Sequence, residues 1–417
     1  MATHRALVVG GGVIGVCCAY ALARRGVDVT LLERDEIGKG ASFGNAGTIS
    51  PGHPPINRPG RVREAVRQML NPRSPLYVAP RWDPALAKWL WAFSLKCNEA
   101  HLTACMRVMA PLGKAAMDEF GRLVERESLS CEFRPGGYYE VCRTSAGADR
   151  ARHEVALLRK HGYGAVTLTG GALDERVPAL AAGTTGGAHY PEAGTCHPYH
   201  FVLEVAERTR RLGGQVLTGR AVAEIIERGA TVRGVRMADG EVIEADSVVL
   251  ATGAYSPELA TKLGLNLPIQ AGKGYHRDLA SDGGGAPNLL EPCVLSESSV
   301  FCTPLDGFVR FAGTMEFSGL NLHMRKSRLE QLTHAAREYI EGVDDTEPSS
   351  EWCGLRPVTS DGLPIVGPVP GRDGFYLATG HAMLGLTLGP VTGRLIAEYI
   401  LDGSPSEDVD ALRPERF

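Results

Sequence analysis

The chain has 417 residues, 44 basic and 48 acidic, and a net charge of −4. That length can bury a large core and points to two domains, while the evenly spread charge leaves no electrostatic footprint for nucleic acid. Ten cysteines carry no C-x-x-C pair, which excludes a zinc ribbon or a thioredoxin-like site and fits reduced thiols in a cytosolic protein.

Ala6 to Val9 is a short apolar run of strand type, and Gly10, Gly12 and Gly15 follow it as G-x-G-x-x-G. Val13 and Ile14 open a helix over residues 13–25 that closes at Gly26. Residues 27–32 form a second strand, with Glu33 and Arg34 after it. Each part suits a dinucleotide. Gly10 permits the tight turn, Gly12 lets backbone approach a pyrophosphate, and Gly15 lets helix and strand pack closely. The helix N-terminus offers positive partial charge to phosphates, and Glu33 stands where a carboxylate meets ribose hydroxyls. Residues 6–23 are apolar enough to imitate a signal peptide or a membrane span, but three consecutive glycines and the immediate second strand argue against both. No later stretch reaches 18 apolar residues.

Residues 38–47 form a small-residue loop containing Ser42, Asn45, Ala46 and Gly47. It suits backbone contact with a flat or anionic ligand, or is an ordinary flexible loop. Residues 51–81 are rich in proline and arginine with little periodicity. Residues 85–95 hold Trp89, Trp91 and Phe93 and read as a buried helix or a membrane-surface contact. Strand and turn follow at 132–142, a helix at 199–212, and strands at 215–217, 221–227 and 232–237 with an Asp239-Gly240 turn. Residues 246–250 form another strand, ending at Ala251-Thr252-Gly253. Residues 268–317 read as mostly β, and 331–342 as helix. His197 and His200 lack matching acids, so no metal site is expected.

Near the C-terminus, residues 374–378 form a strand, 379–385 a glycine loop and 389–401 a helix with Pro390 in its first turn. A second helix N-terminus thus points out of a glycine loop. There is one dinucleotide fingerprint, with further backbone-contact segments at 38–47, 251–253 and 379–389. That combination suits FAD reduced directly by an organic substrate rather than by NAD(P)H.

These residues resemble the D-amino acid oxidase superfamily of FAD-dependent oxidoreductases, and most of all its D-amino acid dehydrogenase small-subunit branch, with hydroxy-D-proline dehydrogenase and glycine oxidase among the relatives. The likeness rests on residues 8–15, Asn45-Ala46-Gly47, residues 71–77, 268–275 and 310–316, Trp352-Cys353-Gly354-Leu355-Arg356-Pro357 through Gly362, and residues 378–394. It implies an α/β fold. A discontinuous Rossmann-like FAD-binding domain (1–55, 195–267 and 354–417) would carry an inserted α+β substrate domain with a mixed β-sheet (56–194 and 268–353).

The resemblance also implies roles. Glu33 would hold the adenosine ribose. Ser42, Asn45, Ala46 and Gly47 would follow the flavin and its phosphates, with Ile49 beside them, and Val222 would meet the adenine edge. Gly380, His381, Gly385, Leu386, Thr387 and Leu388 would border the isoalloxazine. Arg356 would grip the substrate carboxylate, because a guanidinium offers a planar fork that fixes the Cα–H over flavin N5 for hydride transfer. His381 either packs against the flavin or acts on substrate. Cys353 adjoins the covalent flavin position of sarcosine-oxidase-like relatives but is off by one, so FAD is expected to be non-covalent. Phe301 stands where glycine-oxidase-like relatives keep a tyrosine that shares the carboxylate. This leaves a second anchor unassigned, with Tyr275 and His53 as candidates by position.

The expected activity is oxidation of a D-amino acid, a cyclic one such as D-proline or hydroxy-D-proline included, to the imino or 2-oxo acid. Electrons would pass to a quinone or another carrier. The protein would be cytoplasmic, with peripheral contact at the inner face of the membrane as an option. An oxygen-using amine oxidase of glycine or sarcosine type and a non-catalytic flavoprotein subunit are the alternatives.

Overall fold

The computed structural model describes residues 4–69, 74–281, 287–343 and 347–417. The Asn71-Pro72-Arg73 part of the resemblance lies outside them. Alternating β and α segments give an α/β fold with two large sheets. The first has six strands in the order Gln215–Leu217, Asp28–Leu32, Arg5–Val9, Ser247–Leu250, Phe375–Thr379, Ile365–Pro368. All are parallel except the last, which runs antiparallel to Phe375–Thr379. Their apolar runs are buried on both faces, as a covered parallel sheet requires. The helix Val13–Arg24 packs on the C-terminal helix Gly385–Leu401. A Cβ on Gly393 would lie 2.3 Å from the Cys17 carbonyl oxygen, so glycine there sets the approach of the two helices.

The second sheet is mixed. Its main path runs Ser350–Thr359, Ile269–Ala280, Phe308–Phe317, Val300–Leu305, Cys293–Leu295, Tyr138–Cys142, Gly186–Tyr190, Val166–Thr169, and Leu76–Val78 pairs with Phe308–Phe317. The Cys293–Leu295 and Tyr138–Cys142 pair is parallel and most others are antiparallel. Two smaller three-stranded sheets complete the fold, one of them Val222–Arg228, Thr231–Met237 and Val242–Glu244.

Several expectations need correction. The C-terminal helix begins at Gly385, a turn before the expected 389, so Pro390 lies inside it. The helix expected at 331–342 is Lys326–Tyr339. The aperiodic 51–81 stretch contains the helix Arg61–Met69, and a 29-residue helix, Glu99–Glu127, had no counterpart in the sequence reading. The tryptophan run forms the helix Pro84–Leu95, capped by Asp83, with one side in and one side out. Trp89 is buried and its Nε1 donates to Val358 O at 3.1 Å, whereas Trp91 is 68% exposed. Among the described residues no helix is long and apolar enough to cross a membrane.

Candidate active site

The N-terminal turn has almost no room for side chains. Gly10 has φ +112°, and a Cβ there would lie 2.6 Å from the Ala251 carbonyl oxygen; one on Gly15 would lie 1.7 Å from the Gly10 carbonyl oxygen. Gly12 differs, because only Ser42 Oγ would approach, at 3.4 Å, and its open side faces a cavity. The Glu33 carboxylate accepts from Gly11 N–H at 2.6 Å and from Asp35 N–H at 2.8 Å. Ser42 Oγ accepts from Val13 N–H at 2.9 Å. Asn45 Oδ1 accepts from Gly47 N–H at 2.8 Å, and Thr303 donates to Ala46 O at 2.7 Å. Side chains thus fix the loop over 38–47 against the turn.

The turn and loop open onto one cavity of about 1050 Å³. Of the residues expected from sequence, its wall contains Gly10, Gly12, Val13, Ile14, Glu33, Arg34, Ser42, Asn45 and Ala46. It also contains Val222, Ala251, Thr252, Gly253, His381, Gly385, Leu386 and Thr387, together with His53, Phe301 and Arg356. Gly15, Gly47, Ile49, Gly380 and Leu388 stand behind the wall; Ile49 and Leu388 are core residues.

Arg356 sits on the second sheet opposite Gly272, and Gly354 sits opposite Gly274. A Cβ on Gly274 would fall 2.2 Å from the guanidinium, so the side chain lies flat on bare backbone. Its Nη1 donates to Thr314 O at 2.7 Å. Burial pulls its pKa down to about 10, which leaves it charged at neutral pH. Among the described residues no carboxylate pairs with it. A half-buried, charged guanidinium with no carboxylate partner in a cavity wall is a place prepared for an anion.

His381 Nε2 is 3.0 Å from Thr392 Oγ1, and its buried Nδ1 has no partner. Burial lowers its pKa to about 3, so the ring is neutral. His53 is lowered to about 4, by burial first and then by Arg58. Phe301 packs edge-on against Tyr138, with ring centroids 5.6 Å apart. Tyr138 Oη is 3.1 Å from Ser50 Oγ, and Ser50 N–H donates to Thr387 Oγ1 at 3.0 Å. Tyr275 is a correction: it is absent from the wall, and its hydroxyl donates to Glu316 Oε2 at 2.9 Å. Arg356 faces Gly272 while Tyr275 faces Cys353, so strand alternation turns Tyr275 to the other side of the sheet.

Four groups of wall residues join those expected from sequence. Trp352 is wedged beside Gly44 and Gly354, where added Cβ atoms would each come within 2.0 Å of the indole; those two glycines were its signal. Ser50 and Tyr138 link Thr387 to the second sheet. Glu140 and Glu154 carry raised pKa values, chiefly through burial. Tyr190 and Ser296 donate to Glu140 at 2.6 and 2.7 Å, and Arg58 is 3.3 Å from Glu154. Thr314 is the fourth. Away from the wall, Glu132 joins His197 and His200 with ligand atoms within 4.8 Å of one another, supplying the acid not seen in sequence. His197 Nδ1 is engaged there as a helix cap, accepting from His200 N–H at 3.2 Å.

A glycine turn, an acid on the second strand and a long cavity closed by a second glycine-led helix define a flavin-dependent oxidoreductase. The turn fits FAD: Gly12 leaves a space beside the helix N-terminus, and the unpartnered His381 Nδ1 belongs to the same cavity wall. Residues 5–399 match the FAD dependent oxidoreductase family, and the chain belongs to it. The D-amino acid dehydrogenase of Bradyrhizobium diazoefficiens is 33% identical over 99% of both chains. That of Methylobacterium nodulans is 34% identical over 98% of this chain and 99% of its own. Among solved structures, glycine oxidase from Geobacillus kaustophilus is 22% identical with a TM-score of 0.80, covering 100% of both chains. L-proline dehydrogenase from P. horikoshii is 19% identical with a TM-score of 0.77, covering 100% of this chain and 98% of that one. The last two establish the fold.

Proposed function

We propose that the protein is a dehydrogenase that oxidises a D-amino acid, a cyclic one such as D-proline or hydroxy-D-proline included, to the imino acid. A linear imine then hydrolyses to the 2-oxo acid and ammonia, and a quinone or similar carrier takes the electrons. The observation that carries this reading is the half-buried, charged Arg356 in the cavity wall, which has no carboxylate partner among the described residues. The names of the relatives support the substrate class.

When bound, FAD supplies the hydride acceptor. Arg356 binds the carboxylate and thereby orients the substrate carbon. The neutral His381 offers its unpartnered Nδ1 for a hydrogen bond to substrate or to the flavin edge. Phe301 and Trp352 exclude water from the reacting face. Glu33, Ser42, Asn45 and Ala46 hold the dinucleotide. Segments 1–55, 195–267 and 354–417 form the FAD-binding domain, and 56–194 with 268–353 the substrate domain. FAD is held without a covalent bond, in keeping with a Cys353 thiol whose pKa burial raises. Trp82, Trp91 and Leu95, exposed at 96%, 68% and 59%, support peripheral contact at the cytoplasmic face of a membrane, where a quinone is met.

The test is an anaerobic screen of flavin bleaching over D- and L-amino acids, imino acids and N-methyl amino acids. Fast bleaching by D-amino acids, followed by reoxidation much faster with a quinone than with air, is the expected result. Peroxide produced at the full rate of substrate oxidation would make the protein an oxidase. No bleaching by any amino acid would make it a non-catalytic subunit.

A further inference from the structure

Phe301, standing where the resemblance implies a tyrosine that shares the carboxylate, leaves Arg356 without that second anchor. The strand two places along the sheet, beyond Ile269–Ala280, offers another. Phe308–Phe317 pairs with Ile269–Ala280 through Tyr275↔Gly313 and then Lys273↔Glu316. One residue, Gly274, therefore faces two, Thr314 and Met315. This is a β-bulge, a device that re-aims side chains beside binding sites.

Thr314 bears the strain of that bulge. Its φ is +59°, in the left-handed region that a β-branched residue seldom enters. Two features accompany the strain. The Thr314 carbonyl accepts from Arg356 Nη1 at 2.7 Å. The Thr314 hydroxyl is buried, has no hydrogen-bond partner, and belongs to a residue of the same cavity wall. Most buried hydroxyls are paired, so an unpaired one on a residue that lines a ligand cavity is available to a ligand. Gly274 contributes by its bareness, since a side chain there would displace the guanidinium that Thr314 holds.

We infer that Thr314 is the second carboxylate anchor: its carbonyl fixes the Arg356 guanidinium and its hydroxyl donates to the substrate carboxylate. This rests on the proposed role of Arg356. It also gives the bulge a purpose, because a regular strand would neither turn the carbonyl to Arg356 nor free the hydroxyl.

The experiment is a titration of the FAD-loaded protein with benzoate and with acetate, followed by the change in the flavin spectrum. Thr314→Val keeps the branched shape and the strain but removes the donor. Thr314→Gly removes the donor and relieves the strain. Thr314→Ser keeps the donor. Loss of a hydrogen bond to a charged group is expected to weaken carboxylate binding about tenfold in the Val and Gly variants. Thr314→Ser should stay within about twofold of the parent. With substrate, KM should rise more than kcat falls. Should the Val variant fail to retain FAD, the Gly variant, whose backbone is unstrained, carries the test. If Val or Gly variants with normal FAD content bind both probes as the parent does, while Arg356→Leu loses them, Thr314 is not an anchor. If the parent itself binds neither probe, the Arg356 reading fails first.

Discussion

Gly274 and Arg356 act as one unit. The glycine has no side chain so that the guanidinium can occupy its place, 2.2 Å from where a Cβ would be. Two outcomes follow. Arg356→Leu should lower kcat/KM by roughly 30- to several-thousand-fold, the cost of removing one partner of a buried charge pair, with FAD content unchanged; near-parental kcat/KM would end the carboxylate assignment. Gly274→Ala should leave FAD in place but push the guanidinium off Thr314, raising KM for every carboxylate substrate, about tenfold if one charged hydrogen bond is lost. Steady-state kinetics on both variants decides. Arg356 was legible because a guanidinium in Gly-Leu-Arg-Pro has a chemical purpose visible in one dimension. Gly274 was not, since its meaning comes from a strand some eighty residues away. Tyr275 shows the converse: near in sequence to the right strand, it is turned away by alternation and spent on Glu316.

At the scale of elements, the strand-turn-helix unit at the N-terminus was readable in full, because tight backbone contact permits only glycine at Gly10 and Gly15. Gly15→Ala would place a methyl 1.7 Å from the Gly10 carbonyl oxygen, so the purified variant is expected to lose bound FAD, measured by the ratio of flavin to protein absorbance. Gly393→Ala is milder and tests packing alone. It should separate the helices Val13–Arg24 and Gly385–Leu401 and lower the thermal midpoint, with overpacking worth about 1–3 kcal/mol; an unchanged midpoint would show that this contact yields freely. The helix Glu99–Glu127 escaped the sequence because an exposed Pro111 and a buried Gly113 lie in its middle and read as breakers. Gly113 is there for space, since a Cβ would meet the Pro51 carbonyl oxygen at 1.9 Å. The early start at Gly385 was hidden for a similar reason: a glycine-rich loop and the first turn of a glycine-led helix have the same composition.

For the whole molecule, burial holds several histidines neutral. His276 is fully buried, and desolvation, then Arg310, keeps its pKa near 4, below the ordinary 6.5. Between those values the unfolded chain binds a proton that the native ring refuses, so this ring makes stability fall as pH drops through 6.5 toward 4, by about 1.4 kcal/mol per pH unit, and then level off. Glu140 and Glu154, with raised pKa values, act in the opposite sense. The clean comparison is His276→Gln against the parent: its thermal midpoint should fall less between pH 7 and 4.5, and equal slopes would remove His276 from the account. The fold class was legible from the N-terminal strand-turn-helix unit and from the family resemblance that its motifs carry. The strand order was not, because the partners of Arg5–Val9 come from positions 28–32 and 247–250, and local pattern does not encode which distant strand arrives beside it.

That strand order bears on how the protein is made. The strand Arg5–Val9 is central to its sheet, yet its neighbour Ser247–Leu250 is translated more than two hundred residues later, and the next strand, Phe375–Thr379, later still. The first helix waits longer, for Gly385–Leu401 to cover it. With synthesis at about 5–20 residues per second, the nascent dinucleotide turn spends tens of seconds with its apolar faces uncovered. The cavity wall, which draws on residues from Val9 to Thr387, is therefore complete only once the start of that last helix has been made.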